Sequence, residues 1–382
     1  MRRCARSTVE REDEYDIAIV GGGPAGVAAA LSSLQLRPRI RIAVVEAPRH
    51  DSWRAGETLA PGCQEILRGL GCWDSFRAAG FIDSTGTRAV WGGPHPYDND
   101  FLLSAHGSGW HADRTRFDAL LCQAARDAGA NAITCARLCG VDREQPGFRL
   151  WLRSAATESL QTLRARFVID SSGRRASFAS KCGARRVADD HLIGVCGLLP
   201  AHGRERATLV EAQADGWWYS SLLPGSRLIV AWMSDADLIR SQRLCDTERW
   251  IAHVRQSEWT RERIGGPLLG SLRAWSARSE RLIPAHGDGW IAAGDAASAY
   301  DPLSSIGILK ALRSGKIASF VAIDWLEGRD SAERYESIVE REYAGYCETK
   351  RYFYGQEQRW PGSPFWSRRV NGDDAKWRTV KN

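Results

Sequence analysis

Three glycines near the start of the chain have the spacing of a phosphate-binding turn. Gly21, Gly23 and Gly26 occupy the glycine positions of a G-x-G-x-x-G pattern, between a β-branched apolar run and a run of small apolar residues. Glycines at this spacing allow a tight turn, close approach of the backbone to a diphosphate, and close packing of a helix on a strand. The diphosphate would lie on the free amides and positive dipole end of that helix. Pro24 and Ala25 complete the loop, so the segment predicts a dinucleotide site.

Carboxylates follow two further predicted strands. Glu46 comes directly after the strand predicted at 40–45 and lies twenty residues beyond the last glycine of the motif. At that distance an acidic side chain can accept hydrogen bonds from both hydroxyls of an adenosine ribose. Another apolar strand, predicted within 165–173, ends at Asp170, a second candidate for contact with the cofactor. A purely structural glycine turn would explain none of these additional features.

A later segment indicates FAD rather than NAD. Residues 289–315 are predicted to form a strand, a turn at Gly294 and Asp295, and a helix that begins at Pro302, where a missing N–H costs nothing. Asp295 is placed to accept hydrogen bonds from ribitol hydroxyls. The helix is placed to direct its positive end at the flavin N1–C2 edge, where negative charge collects on reduction. The residues of its first turn that can offer backbone amides are Ser304, Ser305, Gly307 and Ile308.

Composition excludes several classes of protein. The chain has 382 residues and a net charge of +6, with basic residues spread along it, so no nucleic-acid partner is predicted. It contains no run of eighteen apolar residues, and we predict no membrane-spanning segment. The first fourteen residues make a poor signal peptide. The ten cysteines include no C-x-x-C pair and the eight histidines have no metal-ligand spacing, which predicts a cytoplasmic protein without a metal.

The order of elements predicts an α/β protein with a Rossmann-like FAD-binding domain. Four strand-like runs within 192–234 are separated by polar or Gly/Pro turns, which is typical of an antiparallel meander. The sixteen tryptophans are interpreted mainly as core, with an aromatic-substrate lining or a protein-docking surface as the alternative. The predicted domains are a discontinuous FAD-binding domain at 14–80, 111–185 and 280–330, an inserted antiparallel β-sheet substrate domain at 81–110 and 186–279, and a C-terminal helical tail at 331–382.

Motifs spread over nearly the whole chain resemble those of the flavin-dependent monooxygenase and halogenase superfamily, which includes p-hydroxybenzoate hydroxylase. Within it, residues 216–238, 301–312 and 359–366 resemble a narrower group. That group comprises the flavoproteins that mature tryptophylquinone enzymes of the lysine-ε-oxidase, glycine oxidase and quinohaemoprotein amine dehydrogenase types. The segments that carry the wider resemblance are GGGPAG (21–26), RAGETLAPG (54–62), HADRTRFDALL (111–121), FVIDSSG (167–173) and GDAASAYDPLSSIGI (294–308).

The resemblance implies a role for each matched residue. Arg54 and Glu57 would lie in a loop beside the isoalloxazine ring, and Arg114 would reach the diphosphate side. Asp295 would hold the ribitol or the diphosphate. The peptide at Pro302 would lie next to flavin C4a, where oxygen is reduced. For the two arginines and Glu57, an ordinary surface pair or helix-end charge remains the alternative.

The resemblance also implies the reaction of an FAD-dependent monooxygenase. Reduced FAD would react with O2 to form a C4a-hydroperoxide that hydroxylates an indole, most specifically a tryptophan side chain of a partner protein during tryptophylquinone biogenesis. The residues assigned to the reacting end are Pro302, Ser304 and Glu57, with His111 a weaker candidate base. Because no second glycine fingerprint follows a strand, either NADH or NADPH docks transiently or a separate flavin reductase supplies reduced flavin.

Two alternatives stay open. The first is a monooxygenase or halogenase that acts on a free aromatic metabolite. Halogenases of the superfamily use a lysine between flavin and substrate, but the first lysine here is Lys181, and Arg88 cannot replace an amine nucleophile. Tryptophan halogenases also carry glutamate where Ser304 stands, so both departures disfavour halogenation. The second alternative, a non-enzymatic FAD-fold binding module, would not need the chemistry around Asp295 and Pro302.

Overall fold

The computed structural model describes residues 13–47, 57–101 and 104–370. The strands are β1 (Asp13–Val20), β2 (Ile42–Val45), β3 (Thr58–Leu59), β4 (Ile82–Ser84), β5 (Gly86–Val90), β6 (Tyr97–Asp100), β7 (Gly109–His111), β8 (Asn131–Ile133), β9 (Ala136–Glu144), β10 (Gly147–Ser154), β11 (Leu160–Asp170), β12 (Arg185–Ala188), β13 (Leu192–Pro200), β14 (Thr208–Gln213), β15 (Gly216–Leu223), β16 (Arg227–Asp235), β17 (Arg273–Ser276), β18 (Glu280–Ile283), β19 (His286–Gly287), β20 (Trp290–Ala292) and β21 (Ser298–Ala299). The helices are α1 (Pro24–Leu36), α2 (Cys63–Gly69), α3 (Trp73–Ala78), α4 (Arg114–Asp127), α5 (Ala236–Ser241), α6 (Thr247–Val254), α7 (Gly307–Leu326), α8 (Ala332–Gln356) and α9 (Pro364–Val370).

The first large sheet carries the glycine motif at its centre. Its parallel strands lie in the order β20-β11-β1-β2-β8, and β9, β10 and β19 extend it by antiparallel pairing. Helices α1 and α7 pack so closely that a Cβ on Gly315 would lie 2.1 Å from the carbonyl oxygen of Ala25. The predicted strand–turn–helix–strand unit is confirmed, since β1 ends at Val20 and α1 begins at Pro24.

The second large sheet has the order β17-β13-β16-β15-β14-β5-β6. The four strands predicted within 192–234 form its antiparallel centre. Strand β5 pairs with β14 in parallel, so the sheet is mixed rather than wholly antiparallel. A parallel pair needs a long connection, and here more than a hundred residues of chain separate the two strands. The remaining strands form two three-stranded sheets with the orders β3-β7-β4 and β12-β18-β21.

Tryptophans cover both faces of this second sheet. Successive strand residues point to opposite faces, so Trp217 packs in one buried cluster and Trp218 in another. Trp218 shares its cluster with Trp232 and Trp250, the last of which lies on α6. Trp217 shares its cluster with Trp366 of α9. The interpretation of these tryptophans as core is therefore confirmed.

The C-terminal region contains two helices. Within the predicted C-terminal helical tail, the long helix is α8, and a second, short helix, α9, follows at Pro364–Val370. Pro364 begins this helix in the position proline favours, and burial of Phe365 and Trp366 stabilises it. Within the described residues, no helix combines the length and apolar character needed to cross a membrane. The domain boundaries stay a prediction.

Candidate active site

The glycine turn leaves space in front of the amides of α1. A Cβ on Gly26 would lie 1.8 Å from the carbonyl oxygen of Gly21, and one on Gly21 would lie 2.3 Å from that of Ser171. Gly21 also has a φ of 113°, which side chains rarely adopt. A Cβ on Gly23, by contrast, would meet no atom within 4 Å. The turn is thus packed on its inner side and open where a diphosphate would lie.

The open side of the turn leads into a cavity of about 730 Å³. It runs from Glu46, whose side chain accepts a hydrogen bond from the Gly22 amide, past the loop at 301–305 to the second sheet. This extent suits an elongated dinucleotide such as FAD. The cavity is lined by thirteen of the residues predicted from the sequence: Gly21, Gly23, Pro24, Ala25, Glu46, Glu57, Arg114, Asp295, Pro302, Ser304, Ser305, Gly307 and Ile308.

Three predicted residues lie behind the cavity wall, and one lies outside the described residues. Gly26 and Gly294 are buried at packing contacts: a Cβ on Gly294 would lie 2.8 Å from the Ala25 side chain. Asp170 is fully buried and accepts hydrogen bonds from the Ser172, Phe178 and Ala179 amides at 2.8–3.0 Å. The prediction that Asp170 touches the cofactor itself stays a prediction. Arg54 is the residue outside the described ranges.

Asp295 is held by a lysine that sequence reasoning missed. Lys310, on α7, places its Nζ 2.9 Å from Asp295 Oδ1 and 4.3 Å from the centre of the Tyr300 ring. Burial raises the pKa of Asp295, but Lys310 and the nearby Arg174 outweigh burial and hold that pKa below its ordinary value. Asp295 is therefore ionised at neutral pH and can accept hydrogen bonds from a ribitol or diphosphate-side hydroxyl. The two residues are fifteen positions apart in the chain, so no local sequence pattern indicated that they would pair.

The loop that the resemblance places beside the flavin differs from the prediction. Pro302–Ser304 forms a single 3-10 turn, capped by the Asp301 side chain, and does not begin the long helix. Ser305 then adopts a left-handed φ of 51°, which interrupts the helix until α7 begins at Gly307. The expectation that the helix begins at Pro302 is wrong for this reason. Gly307 and Ile308, the first two residues of α7, still line the cavity.

Helix α8 holds this loop through a buried polar network. The Tyr346 hydroxyl accepts a hydrogen bond from the Asp301 amide at 2.7 Å, and the Tyr354 hydroxyl donates to Asp301 Oδ2 at 2.7 Å. Lys350 lies between these tyrosines and pairs with Asp190. Burial raises the pKa of Asp190, but Lys350 outweighs it and holds the pKa at about 2. The tyrosines and the lysine share one face of α8, yet their partners lie far away in the chain, so no sequence pattern pointed to them.

We expect Tyr354→Phe to weaken the loop at 301–305. The substitution removes the hydroxyl that joins Asp301 to Trp217 Nε1, which donates to it at 3.0 Å. Two buried groups then lack a partner, at a cost of about 1–3 kcal/mol of unfolding free energy, and FAD should dissociate more readily. Urea unfolding and FAD fluorescence on dilution measure the two effects. Tyr335→Phe, which removes one buried bond to Ala292 away from the loop, is the control. Equal FAD release from both variants would contradict the positioning role.

The second sheet closes the far end of the cavity. Glu57 and Thr58 meet Tyr219 of β15 there, with the Thr58 hydroxyl 2.7 Å from the Tyr219 hydroxyl. Burial and the Glu57 carboxylate raise the pKa of Tyr219 well above its ordinary value, so the phenol keeps its proton at neutral pH. Beside Tyr219 the wall consists of Ile229, Ala231, Met233, Arg273 and Trp275. This wall is mainly apolar and aromatic, and of its residues only Arg273 and Trp275 lie outside the segments that carry the sequence resemblance.

His111 and Arg88 lie away from the cavity. His111 is fully buried, with its Nε2 3.0 Å from the Thr208 hydroxyl, and does not line the cavity. Arg88 pairs with Asp98 at 2.8 Å and with Glu205 at 2.7 Å on the second sheet. Among the described residues that line the cavity, none is a lysine. The described residues also contain no cluster of three side chains that could hold a metal ion.

His111 should make the protein sensitive to mild acid. Burial and the nearby Arg263 lower its pKa to about 3, whereas in the unfolded chain the pKa is about 6.5. The unfolded state therefore binds more protons below about pH 6.5, and stability is lost as the pH falls toward 3. We expect a loss of about 2 kcal/mol by pH 5. Unfolding of His111→Gln at pH 7.5 and 5.0 should show a smaller pH dependence, whereas exposed His95→Gln should match the wild type. If His111→Gln lost as much unfolding free energy between pH 7.5 and pH 5.0 as the wild type, this assignment would be wrong.

The fold and the cavity define an FAD-dependent oxidoreductase, and comparison with known proteins agrees. The FAD binding domain family matches residues 14–313, so the chain belongs to that family, within the flavin monooxygenase and halogenase superfamily. The chain is 27% identical over 362 residues to a protein named FAD-dependent oxidoreductase LodB from Marinomonas mediterranea, covering 94% of this chain and 97% of LodB. Several other relatives are named as halogenases, including a tryptophan 2-halogenase from Chondromyces crocatus.

Two solved structures extend the comparison. The peptidyl tryptophan dihydroxylase QhpG, described as essential for tryptophylquinone cofactor biogenesis, is 25% identical with a TM-score of 0.70, over 93% of this chain and 78% of QhpG. The myxobacterial chondrochloren halogenase CndH is 22% identical with a TM-score of 0.84, over 96% of this chain and 90% of CndH. At that identity, the likeness to CndH concerns the fold alone. The predicted superfamily and fold class are thereby confirmed.

Proposed function

We propose that this protein is a monooxygenase that hydroxylates a tryptophan side chain of a partner protein during the biogenesis of a tryptophylquinone cofactor. The observation that carries the proposal is the cavity, in which the loop at 301–305 faces an aromatic wall that contains no lysine among the described residues. Halogenases of the superfamily need that lysine. The likeness to QhpG, whose described substrate is a peptidyl tryptophan, supports the same acceptor.

In this proposal the chain's own residues bind the cofactor and shield the reacting end from water. Bound FAD, reduced and exposed to O2, supplies an electrophilic oxygen. Pro302 and Ser304 belong to the loop that would lie next to the flavin ring, and the apolar wall on β15 to β17 would exclude water from the acceptor. Glu57 lies beside the Tyr219 hydroxyl, and we assign this pair to proton movement at the acceptor. Arg114 and Glu46 are assigned to the diphosphate and ribose.

The remaining proposals concern the surroundings of the enzyme. We propose that it acts in the cytoplasm and receives electrons either from NADH or NADPH that docks transiently or from a separate flavin reductase. Anaerobic mixing of the FAD-loaded protein with each nicotinamide separates the two routes. Bleaching of the flavin absorbance by NADH or NADPH alone supports direct reduction, and an unbleached flavin supports the reductase.

The test of the acceptor is mass spectrometry of a tryptophylquinone-type enzyme subunit from the same organism. The subunit is purified from cells with and without an intact copy of this protein. We expect a gain of one or two oxygens on a single tryptophan only when the protein is present. An unmodified tryptophan in both samples would remove the maturation role and leave the monooxygenase class in place.

The second candidate function is a halogenase of a free aromatic molecule, which the numerous halogenase relatives favour. Incubation of the reduced, FAD-loaded protein with free tryptophan, O2 and bromide tests it. A product with the bromine isotope pattern would establish halogenation. Release of hydrogen peroxide without a brominated product is expected, because the described lining offers no lysine amine.

A further inference from the structure

One row of residues crosses the second sheet at the level of the cavity. Met233 on β16 is paired with Gly194 on β13, and Gly194 is paired with Trp275 on β17. Residues directly opposite each other in paired strands lie on the same face of the sheet. Met233 and Trp275 both line the cavity, so this row forms part of the wall that faces the loop at 301–305.

The missing side chain of Gly194 lets the Trp275 indole lie across the sheet. A Cβ at Gly194 would lie 2.9 Å from Trp275 Cζ2, 3.0 Å from Trp275 Cε2 and 3.0 Å from Met233 Sδ. These contacts are shorter than real Cβ contacts, so the indole and the thioether occupy the space that an alanine would fill. Trp275 is only partly buried, and it lines the cavity.

From this geometry we infer that Trp275, supported by Gly194 and Met233, is the specificity-determining residue that stacks on the aromatic ring of the acceptor. The inference rests on the proposed function and names the part of the cavity that recognises the acceptor. An indole lying on Trp275 would make an offset aromatic stack, and the Met233 sulfur offers a favourable contact at the ring edge. Ala231, one row further along the same face, adds only a small side chain to this part of the wall.

A matched arrangement elsewhere in the chain supplies the control. Gly140 on β9 lies under Trp151 of β10, and a Cβ there would lie 3.1 Å from Trp151 Cδ1. Neither residue lines the cavity. Substitutions at this second tryptophan–glycine pair disturb packing of the same kind without touching the acceptor wall.

The experiment measures binding of N-acetyl-L-tryptophanamide to the FAD-loaded, full-length protein through the change in flavin absorbance. We expect Trp275→Ala and Gly194→Ala to weaken binding about tenfold or more, and Trp275→Phe, which keeps an aromatic face, to stay within about threefold. Trp151→Ala and Gly140→Ala should bind as the wild type does. FAD content and thermal midpoint of every variant show whether the fold is kept, and Trp275→Phe tests the inference even if Gly194→Ala misfolds.

Wild-type affinity in Trp275→Ala, or a wild-type protein that does not bind the probe, would overturn the inference. Its failure can be told apart from failure of the proposed function. If the partner subunit still gains oxygen when Trp275→Ala replaces the wild-type protein, only the stacking role is overturned. Probe binding that depends on Trp275, together with an unmodified subunit, overturns the proposed acceptor alone.

Discussion

Gly23→Val should yield a folded protein that has lost its FAD. Gly23 has a φ of −79°, which any residue can adopt, and a Cβ there would meet no atom within 4 Å. The Cβ of a valine would therefore meet no protein atom, and the side chain would project into the space in front of the α1 amides, where the diphosphate would lie. We expect FAD affinity to fall by about a hundredfold or more, equivalent to about 3 kcal/mol.

The absorbance of bound flavin after gel filtration measures this loss, and circular dichroism with thermal unfolding of both apoproteins measures the fold. Gly345→Val, at an exposed position of α8 where a Cβ also meets no atom, is the control and should keep its FAD. If Gly23→Val purified with a full complement of FAD, the glycine turn would not be the diphosphate site.

Asp295→Ala is expected to lose both FAD and stability. The side chain of Lys310 is only 6% exposed, and its carboxylate partner would be gone. Removing one member of a buried ion pair costs about 3–5 kcal/mol. We expect the lower end of this range, because the ammonium of Lys310 would keep the Ser298 carbonyl and the Tyr300 ring as partners. Asp295 also lines the cavity, so the substitution removes the hydrogen-bond acceptor that we propose for the cofactor.

A double substitution separates the two effects. Asp295→Ala combined with Lys310→Met removes the isolated buried charge, and most of the lost stability should return. FAD binding should not return, since the acceptor at position 295 is still missing. Chemical unfolding of the apoproteins and titration with FAD provide the two measurements. A double variant that binds FAD like the wild type would mean that Asp295 only balances Lys310.

Local patterns were sufficient to predict the glycine turn and FAD as the cofactor. Gly21, Gly23 and Gly26 depend on backbone conformation and close packing that only glycine permits, so their spacing predicted the turn correctly. Four short, mainly apolar runs separated by polar or Gly/Pro turns predicted the meander. The runs are mainly apolar because both faces of these strands are buried, and successive residues point to opposite faces. The helix was predicted to begin at Pro302. It begins at Gly307 because Ser305 has a left-handed backbone conformation that interrupts the helix.

What the sequence by itself determined is the class of the protein: a nucleotide fold, its cofactor and the segments that converge on it. Only the tertiary structure decided which residues support those segments. Lys310 reaches Asp295, Tyr354 reaches Asp301, and Gly194 makes room for Trp275. Each of these contacts joins elements that are distant in the chain or on neighbouring strands. Their energies come from burial and from the register of paired strands, which no local pattern of residue types encodes.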